Sequence, residues 1–301
     1  MLSFGHLVFL EVAKAESFTK ASQTLFITQP AISKHIRQLE EAYGAPLFDR
    51  NGNSIALTQA GKILFDGIQE AKGISDRTHF DISSLSNDLL AKGELKIGAS
   101  TTVALYMIPS VLSEFHRKHP QLKIILINRN SENVLKALLD REIDLGIIEG
   151  ENKSFRVHSE PFLTDEVIPV CSSSSPLARI SRMTVKDLRK HPVALRERGS
   201  GTLAALRTAL TKSGMKLADL NTGVRLSGTE ALKNFILADE CIGFLPLRSV
   251  VKELKSGTLI RLNIAGLKVT RQFYFIQRHG EKHGGINMSF IRLAKRHHNL
   301  K

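Results

Sequence analysis

Gln29, Ser33, Lys34 and Arg37 form the first candidate contact set along this 301-residue chain. They lie in Ser17–Arg37, S-F-T-K-A-S-Q-T-L-F-I-T-Q-P-A-I-S-K-H-I-R. With Gln29 at zero and ~100° per residue, the four fall within ~0–140°, whereas Ile32, Ile36, Leu39 and Tyr43 fall within ~280–340°. Glutamine pairs with adenine edges, arginine and lysine with guanine or phosphate, and serine with either. One face would pack on a scaffold and the other would be free to enter a major groove. A bundle helix whose polar face is merely solvated is the ordinary alternative.

A second set of candidates is rich in hydroxyls. Leu95-Lys-Ile-Gly-Ala-Ser-Thr-Thr runs a strand into a capped helix, so Ser100, Thr101 and Thr102 bring hydroxyls and backbone N–H groups to a helix N-terminus, a natural anion seat. Arg196-Glu-Arg-Gly-Ser-Gly-Thr202 is another, with Ser200 or Thr202 as the cap and Gly201 allowing close backbone approach. Ser227-Gly-Thr229 is a third, and Asn128, ending the apolar run from Leu122, joins the set. Each alone is an ordinary helix cap. Three at strand-to-helix turns point to a ligand, because open α/β sheets bind at those carboxyl ends. Ser100, Thr101, Thr102, Ser200 and Thr202 are therefore expected to line an anion-binding cleft, with Arg196 or Arg198 nearby.

Other chemistry is excluded. Gly199-Ser-Gly-Thr202 lacks the G-K-[ST] of a P-loop. His279-Gly-Glu-Lys-His283 sits among glycines and reads as a loop, not a metal site. His297 and His298 read as a frayed terminus. Cys171 and Cys241 make neither a disulfide framework nor a metal-ligand spacing. They read as a strand-end and a small core residue, with a thiol redox pair as the alternative. No nucleophile–base constellation has the context of a catalytic site, so neither an enzyme nor a cofactor is expected.

The elements that must position these groups follow from caps and periodicity. Ser17 caps a short helix carrying Ala21 and Leu25 inward, Thr28 caps the next, and Pro30 sits in its first turn. Two short helices with a tight connection make a helix-turn-helix over about 18–37. In G-A-P-L-F-D-R-N-G-N-S-I-A-L-T, Asn51-Gly52 is a hairpin turn, with Ile55 and Leu57 on one strand face. Arg50, at that turn, would touch a nucleic-acid backbone or minor groove. Thr58 can cap a helix to about Leu90, ~30 residues or ~45 Å long. Positions 64, 68, 71, 75, 78, 82, 85 and 89 hold Leu, Ile, Ala, Ser, Thr, Ile, Leu and Leu. That 4-3 spacing predicts a dimer seam with a polar middle. From Leu95, strand-length runs (Leu95–Ala99, Leu122–Asn128, Ile143–Ile148, Val193–Leu195, Ile242–Leu247, Phe273–Ile276) alternate with amphipathic stretches, the pattern of βαβ units.

The charge is unevenly placed. The net charge is +13, yet residues 1–92 hold nine basic and ten acidic residues, while 93–301 hold 33 and 19. A nucleic-acid reader at the N-terminus would work with few, placed cations. The basic remainder could be plain solubility or could draw in an anion. No apolar run approaches the ~18–20 residues of a membrane span, and no secretion signal is recognised, so a cytoplasmic protein is expected.

The motifs A-x-x-x-S-F-T-x-A-S-x-x-L-x-x-T-Q-P-A-I-S-x-x-I-R-Q-L-E, G-x-P-L-F-x-R and L-T-x-A-G, over residues 13–61, resemble those of the LysR-type transcriptional regulators. The resemblance implies a winged helix-turn-helix over 1–58, a dimerising linker helix over 59–92, and an α/β effector domain over 93–301. That domain would consist of two Rossmann-like subdomains of periplasmic-binding-protein type 2, 93–163 plus 267–301 and 164–266, with the effector cleft between them. By resemblance, Gln29, Pro30, Ser33, Lys34 and Arg37 lie on the recognition helix, Thr28 caps it and Arg50 is the wing arginine. Operator DNA, a small-molecule effector, further copies of the chain as homodimer or homotetramer, and RNA polymerase are the implied partners. Ala238-Asp-Glu-Cys241 departs from the glycine-rich turn of many members. A free-standing solute-binding protein is the lesser alternative.

Overall fold

The computed structural model describes residues 2–51, 54–86, 93–152, 154–279 and 285–299. The chain divides between Ile82 and Ser83 into two compact units.

In the first unit, α1 (Phe4–Ala15), α2 (Phe18–Leu25) and α3 (Gln29–Tyr43) precede a hairpin of β1 (Phe48–Asn51) and β2 (Ser54–Leu57), then α4 (Gln59–Ser86). Ser17 Oγ accepts the Lys20 amide and Thr28 Oγ1 the Ala31 amide, so the expected caps form. Phe9, Phe18, Ile32, Ile36, Leu39, Phe48 and Ile68 share one core. Tyr43, expected on the packed stripe of α3, is instead 52% exposed, its hydroxyl 3.1 Å from His6 Nε2. A phenol at a helix end gains more from a polar partner in water than from burial without one.

One knot explains the spacing of P-L-F and L-T-x-A-G. The Thr58 amide donates to the Leu47 carbonyl (3.1 Å), and its hydroxyl donates to the Pro46 carbonyl (2.6 Å) while accepting the Gly61 amide (3.0 Å). Gly61 lets α4 start against this backbone, since a Cβ there would lie 2.1 Å from the Leu47 oxygen. The seam expected on α4 begins differently. Leu64 and Ile68 pack into the unit's own core, while Ile63, Ile74 and Ile82 are exposed. Leu85 and Leu89 have side chains outside the described residues.

The second unit contains β3 (Gly93–Ser100), α5 (Thr101–Tyr106), α6 (Ile108–Lys118), β4 (Leu122–Arg129), α7 (Ser131–Leu139), β5 (Leu145–Glu149) and the long β6 (Val157–Ser172). It continues through β7 (Met183–Thr184), β8 (Pro192–Arg196), α8 (Gly201–Lys212), β9 (Asn221–Leu226), α9 (Thr229–Ala238), β10 (Ile242–Pro246) and α10 (Val251–Ser256). Then come β11 (Leu259–Arg261), β12 (Ile264–Ala265), β13 (Val269–Arg278) and α11 (Gly285–Asn299). The main sheet runs β4-β3-β5-β13-β6-β10-β8-β9, with β11 also on β6. β3 is parallel to β4 and β5, and β8 to β9 and β10; the antiparallel pair β6/β13 joins these two parallel halves. Two Rossmann-like halves sharing a pair of crossover strands is the architecture expected.

Two local expectations change. His297 is not frayed: on α11 it lies 3.1 Å from Glu114 and 3.2 Å from Ser110 of α6. Its neighbour His298 packs its ring against Phe162. At Ala238-Asp-Glu-Cys241 the helix exits through Asp239 at φ −125°, an extended geometry any residue adopts, so no glycine is needed there.

Gly61→Ala should destabilise the first unit by about 1–3 kcal/mol, since the new methyl meets backbone that cannot rotate away. Urea unfolding followed by circular dichroism measures it, and an unchanged midpoint would refute the close-approach role.

Candidate functional site

Thr28, Gln29, Pro30, Lys34 and Arg37 are exposed and Ser33 is half-buried, on the side of α3 away from its buried isoleucines. Arg37 Nε donates to Glu41 Oε1 at 2.9 Å one turn on, which aligns the guanidinium along the helix without covering it. Asn51 pairs with Ser54, as a hairpin wing requires. The Arg50 side chain and Gly52 lie outside the described residues. Sequence reasoning passed over Phe26, which is 94% exposed in the α2–α3 turn at φ +54°.

In the second unit, the decisive group is a residue that the hydroxyl pattern did not single out. Arg271 of β13 is buried, its side chain 2% exposed. Its Nε and Nη2 donate to Asp165 Oδ2 at 3.1 and 2.7 Å, and Nη1 donates to Glu149 Oε1 at 2.8 Å. Nη1 also reaches Thr202 Oγ1 at 2.7 Å and Nη2 reaches Thr102 Oγ1 at 3.0 Å. One guanidinium thus joins β5, β6, α5 and α8. Glu149 Oε2 accepts the Ser131 hydroxyl at 2.5 Å, and a Cβ on Gly201 would lie 2.0 Å from that oxygen. Thr102 and Thr202, expected together, are together, as is Gly201.

The remaining expectations disperse. The Ser100 hydroxyl is buried and has no hydrogen-bond partner, the only member of the expected set in that condition among the described residues. Thr101 and Ser200 are buried at the starts of α5 and α8. Asn128 is exposed, in register with Ala99. Thr229 belongs to a separate cluster: it accepts from Arg196 Nη1 at 2.8 Å, while Arg196 Nε and Nη2 grip Glu197. Burial opposes ionisation of Glu197, but Arg196 outweighs it and the carboxyl pKa is lowered. Arg196, expected near the anion seat, is therefore engaged with its neighbour, and Arg198 is exposed.

Residues 7–62 match the family described as "Bacterial regulatory helix-turn-helix protein, lysR family", and residues 90–299 match "LysR substrate binding domain". The chain belongs to the LysR family. It is 33% identical over 276 residues to the HTH-type transcriptional regulator YeiE of Escherichia coli K12, covering 92% of this chain and 90% of that one. To the transcriptional activator CmpR of Synechocystis it is 28% identical over 284 residues, covering 94% and 91%. Among solved structures, the full-length CbnR complex with its target DNA superposes with a TM-score of 0.68 at 19% identity, covering 99% of each chain. The Synechocystis CcmR regulatory domain in complex with 2-PG superposes with 0.61 at 24% identity, covering 68% of this chain and 97% of that one. This LysR-family chain is a DNA-binding transcriptional regulator with an effector-binding domain.

The thiol alternative meets a geometric obstacle. Gly243 pairs with Val170, which puts Cys171 opposite Ile242 and Cys241 opposite Ser172. Successive residues face opposite sides of a sheet, and the two thiols accordingly sit in different cores. Burial pushes both up, Cys241 to about 12 with Asp239 adding to the shift. Thiols so protonated on opposite faces are poor partners for a bridge.

Two outcomes are expected. Mass spectrometry after mild peroxide should find no Cys171–Cys241 bridge in folded protein. Arg271→Ala should cost the second unit about 3–5 kcal/mol by leaving Glu149 buried without its cation and Asp165 with only Arg248, 3.5 Å away, and denaturant unfolding of the full chain should show it in that unit's transition.

Proposed function

We propose that this regulator reads a specific operator through Gln29, Ser33, Lys34 and Arg37, with Arg50 at the wing, and is switched by a small anionic metabolite held between the two effector subdomains. The observation that carries the ligand's charge is the Arg271 guanidinium beneath Thr102 and Thr202, two helix starts from opposite halves of the sheet. A carboxylate, that of Glu149, already rests there, which supports a seat suited to anions. The 2-PG complex of the CcmR regulatory domain, on the same fold, supports a small molecule as the switch.

The mechanism is a population shift. Effector favours one arrangement of the two halves, subunits of a homodimer or homotetramer rotate, and the spacing or bend of the bound half-sites changes. The exposed isoleucines of α4 support self-association. The protein works in the cytoplasm, with RNA polymerase as its further partner, and catalyses no reaction. No described helix is long and apolar enough to cross a membrane.

Two measurements test this. Gln29→Ala should lose about 1–3 kcal/mol on the protein's own operator and little on random DNA in gel shifts at fixed salt. Equal loss on both would mean that Gln29 positions the helix without reading bases. Calorimetry of the full chain against metabolite anions and matched neutral analogues should favour the anions, and preference for the neutral ones would overturn that part of the reading.

A further inference from the structure

Glu149 stands where the ligand should be. It ends β5 in one half of the sheet, yet its carboxylate lies against Gly201, the first residue of α8 in the other half. The contact exists because residue 201 has no side chain: a Cβ would lie 2.0 Å from Oε2 and 2.3 Å from the glutamate's own Cβ. Arg271 holds one carboxylate oxygen and Ser131 the other. The halves meet beside it as well. The Glu132 amide donates to the Gly199 carbonyl at 3.3 Å, Asn130 Nδ2 reaches the Arg198 carbonyl at 3.4 Å, and the Tyr106 hydroxyl donates to Glu230.

Arg271 is already matched by two carboxylates, Asp165 and Glu149. A third negative charge at the same guanidinium would be repelled by both. The two are not equivalent. Asp165 is the cross-strand partner of Arg271 on β6 and is gripped by two of its nitrogens, so it belongs to the scaffold. Glu149 is gripped by one, on a side chain with one more rotatable bond at a strand end. It is the carboxylate that can leave. Two residues before Thr102, the buried Ser100 hydroxyl has no partner and remains available to an incoming oxygen.

We propose that Glu149 is a tethered occupant of the effector seat, a built-in carboxylate that a diffusible oxyanion must displace, and that it thereby sets which anions this regulator answers to. The inference rests on the anion reading above. With Glu149 in place the seat is closed to simple monoanions; only an anion offering more oxygens than one carboxylate competes. Removing the carboxylate leaves Arg271 paired with Asp165 alone, its Nη1 without a carboxylate, beside a space the size of a formate or acetate ion.

The experiment uses full-length wild type, Glu149→Ala and Glu149→Gln, folded by circular dichroism, titrated with formate, acetate and sulfate against chloride at constant ionic strength. Melting temperature and isothermal calorimetry are the readouts. Glu149→Ala should melt below wild type, and formate or acetate should restore the lost stability saturably, with no comparable effect on wild type. Glu149→Gln, which keeps the shape and loses the charge, should bind sulfate at least tenfold more tightly than wild type, and it serves if the alanine variant folds poorly. Three results overturn the proposal. If formate and acetate do no more than chloride for Glu149→Ala, the seat is not a displaced-carboxylate site. If wild type binds an anion and Glu149→Gln binds it no more tightly, the tether fails while the anion reading survives. If neither variant nor wild type binds any anion, the anion reading fails first.

Discussion

A guanidinium taken out of water must be surrounded by acceptors, and Arg271 imposes that demand on the whole effector unit. Burying the cation alone would cost several kcal/mol even after the protein relaxes. Two carboxylates and two threonine hydroxyls meet it, and they come from four separate elements. The register of β6 against β13 is tied to this site, because Arg271 and Asp165 are direct cross-strand partners. Just past them the register shifts: Gln272 faces Thr164 and Tyr274 faces Pro161, so two residues of β6 oppose Phe273. A bulge of this kind bends one strand and re-aims its side chains. The extra residue lies on β6, so β13 keeps its regular alternation, with Arg271, Phe273 and Phe275 all inward.

The excess positive charge is a different matter. Of the basic residues in 93–301, Arg196, Lys233 and Arg271 are the buried ones among the described residues, and each has carboxylate partners. Many others sit at the surface, several beside carboxylates, as in Arg129–Glu142 and Arg261–Glu166. Exposed pairs of that kind add little stability. The surplus therefore acts as a diffuse field that favours anions at a distance and fades over ~10 Å at 0.1 M salt. It does not by itself build a site.

The reader was legible because it is local: caps, proline and stripe all lie within twenty-one residues, and each constrains the next. The strands that alternate with helices were legible for the same reason. β6 was not. It carries Pro161 and Pro169, which demote a segment to an edge or a turn, and here Pro161 lies at the bulge while Pro169 faces Phe244 on β10. β9 alternates exposed and half-buried residues and lacks an apolar run. The hydroxyls of Thr102 and Thr202 were readable as helix starts, but their common partner was 69 residues from the nearer one. A signal did exist. In V-T-R-Q-F-Y-F, alternation places Arg271 on the same inward face as Val269, Phe273 and Phe275, and a charge in that phase of a strand announces a buried partner. Finding that the partners are Asp165 and Glu149 required the fold.

A closed cleft held by its own groups changes what an effector has to do. Ligand affinity is reduced by the fraction of molecules in which the seat is open, so each ~1.4 kcal/mol of internal closure weakens apparent binding tenfold. A tethered carboxylate also competes at the high effective concentration of an intramolecular partner. Matching one carboxylate with another therefore gains nothing. The advantage must come from donors that Glu149 leaves unused. To act, an effector that takes Arg271 from Glu149 must bind one arrangement of the halves better than the other. That difference in affinity, and no other property of the ligand, is what can move the equilibrium of the regulator.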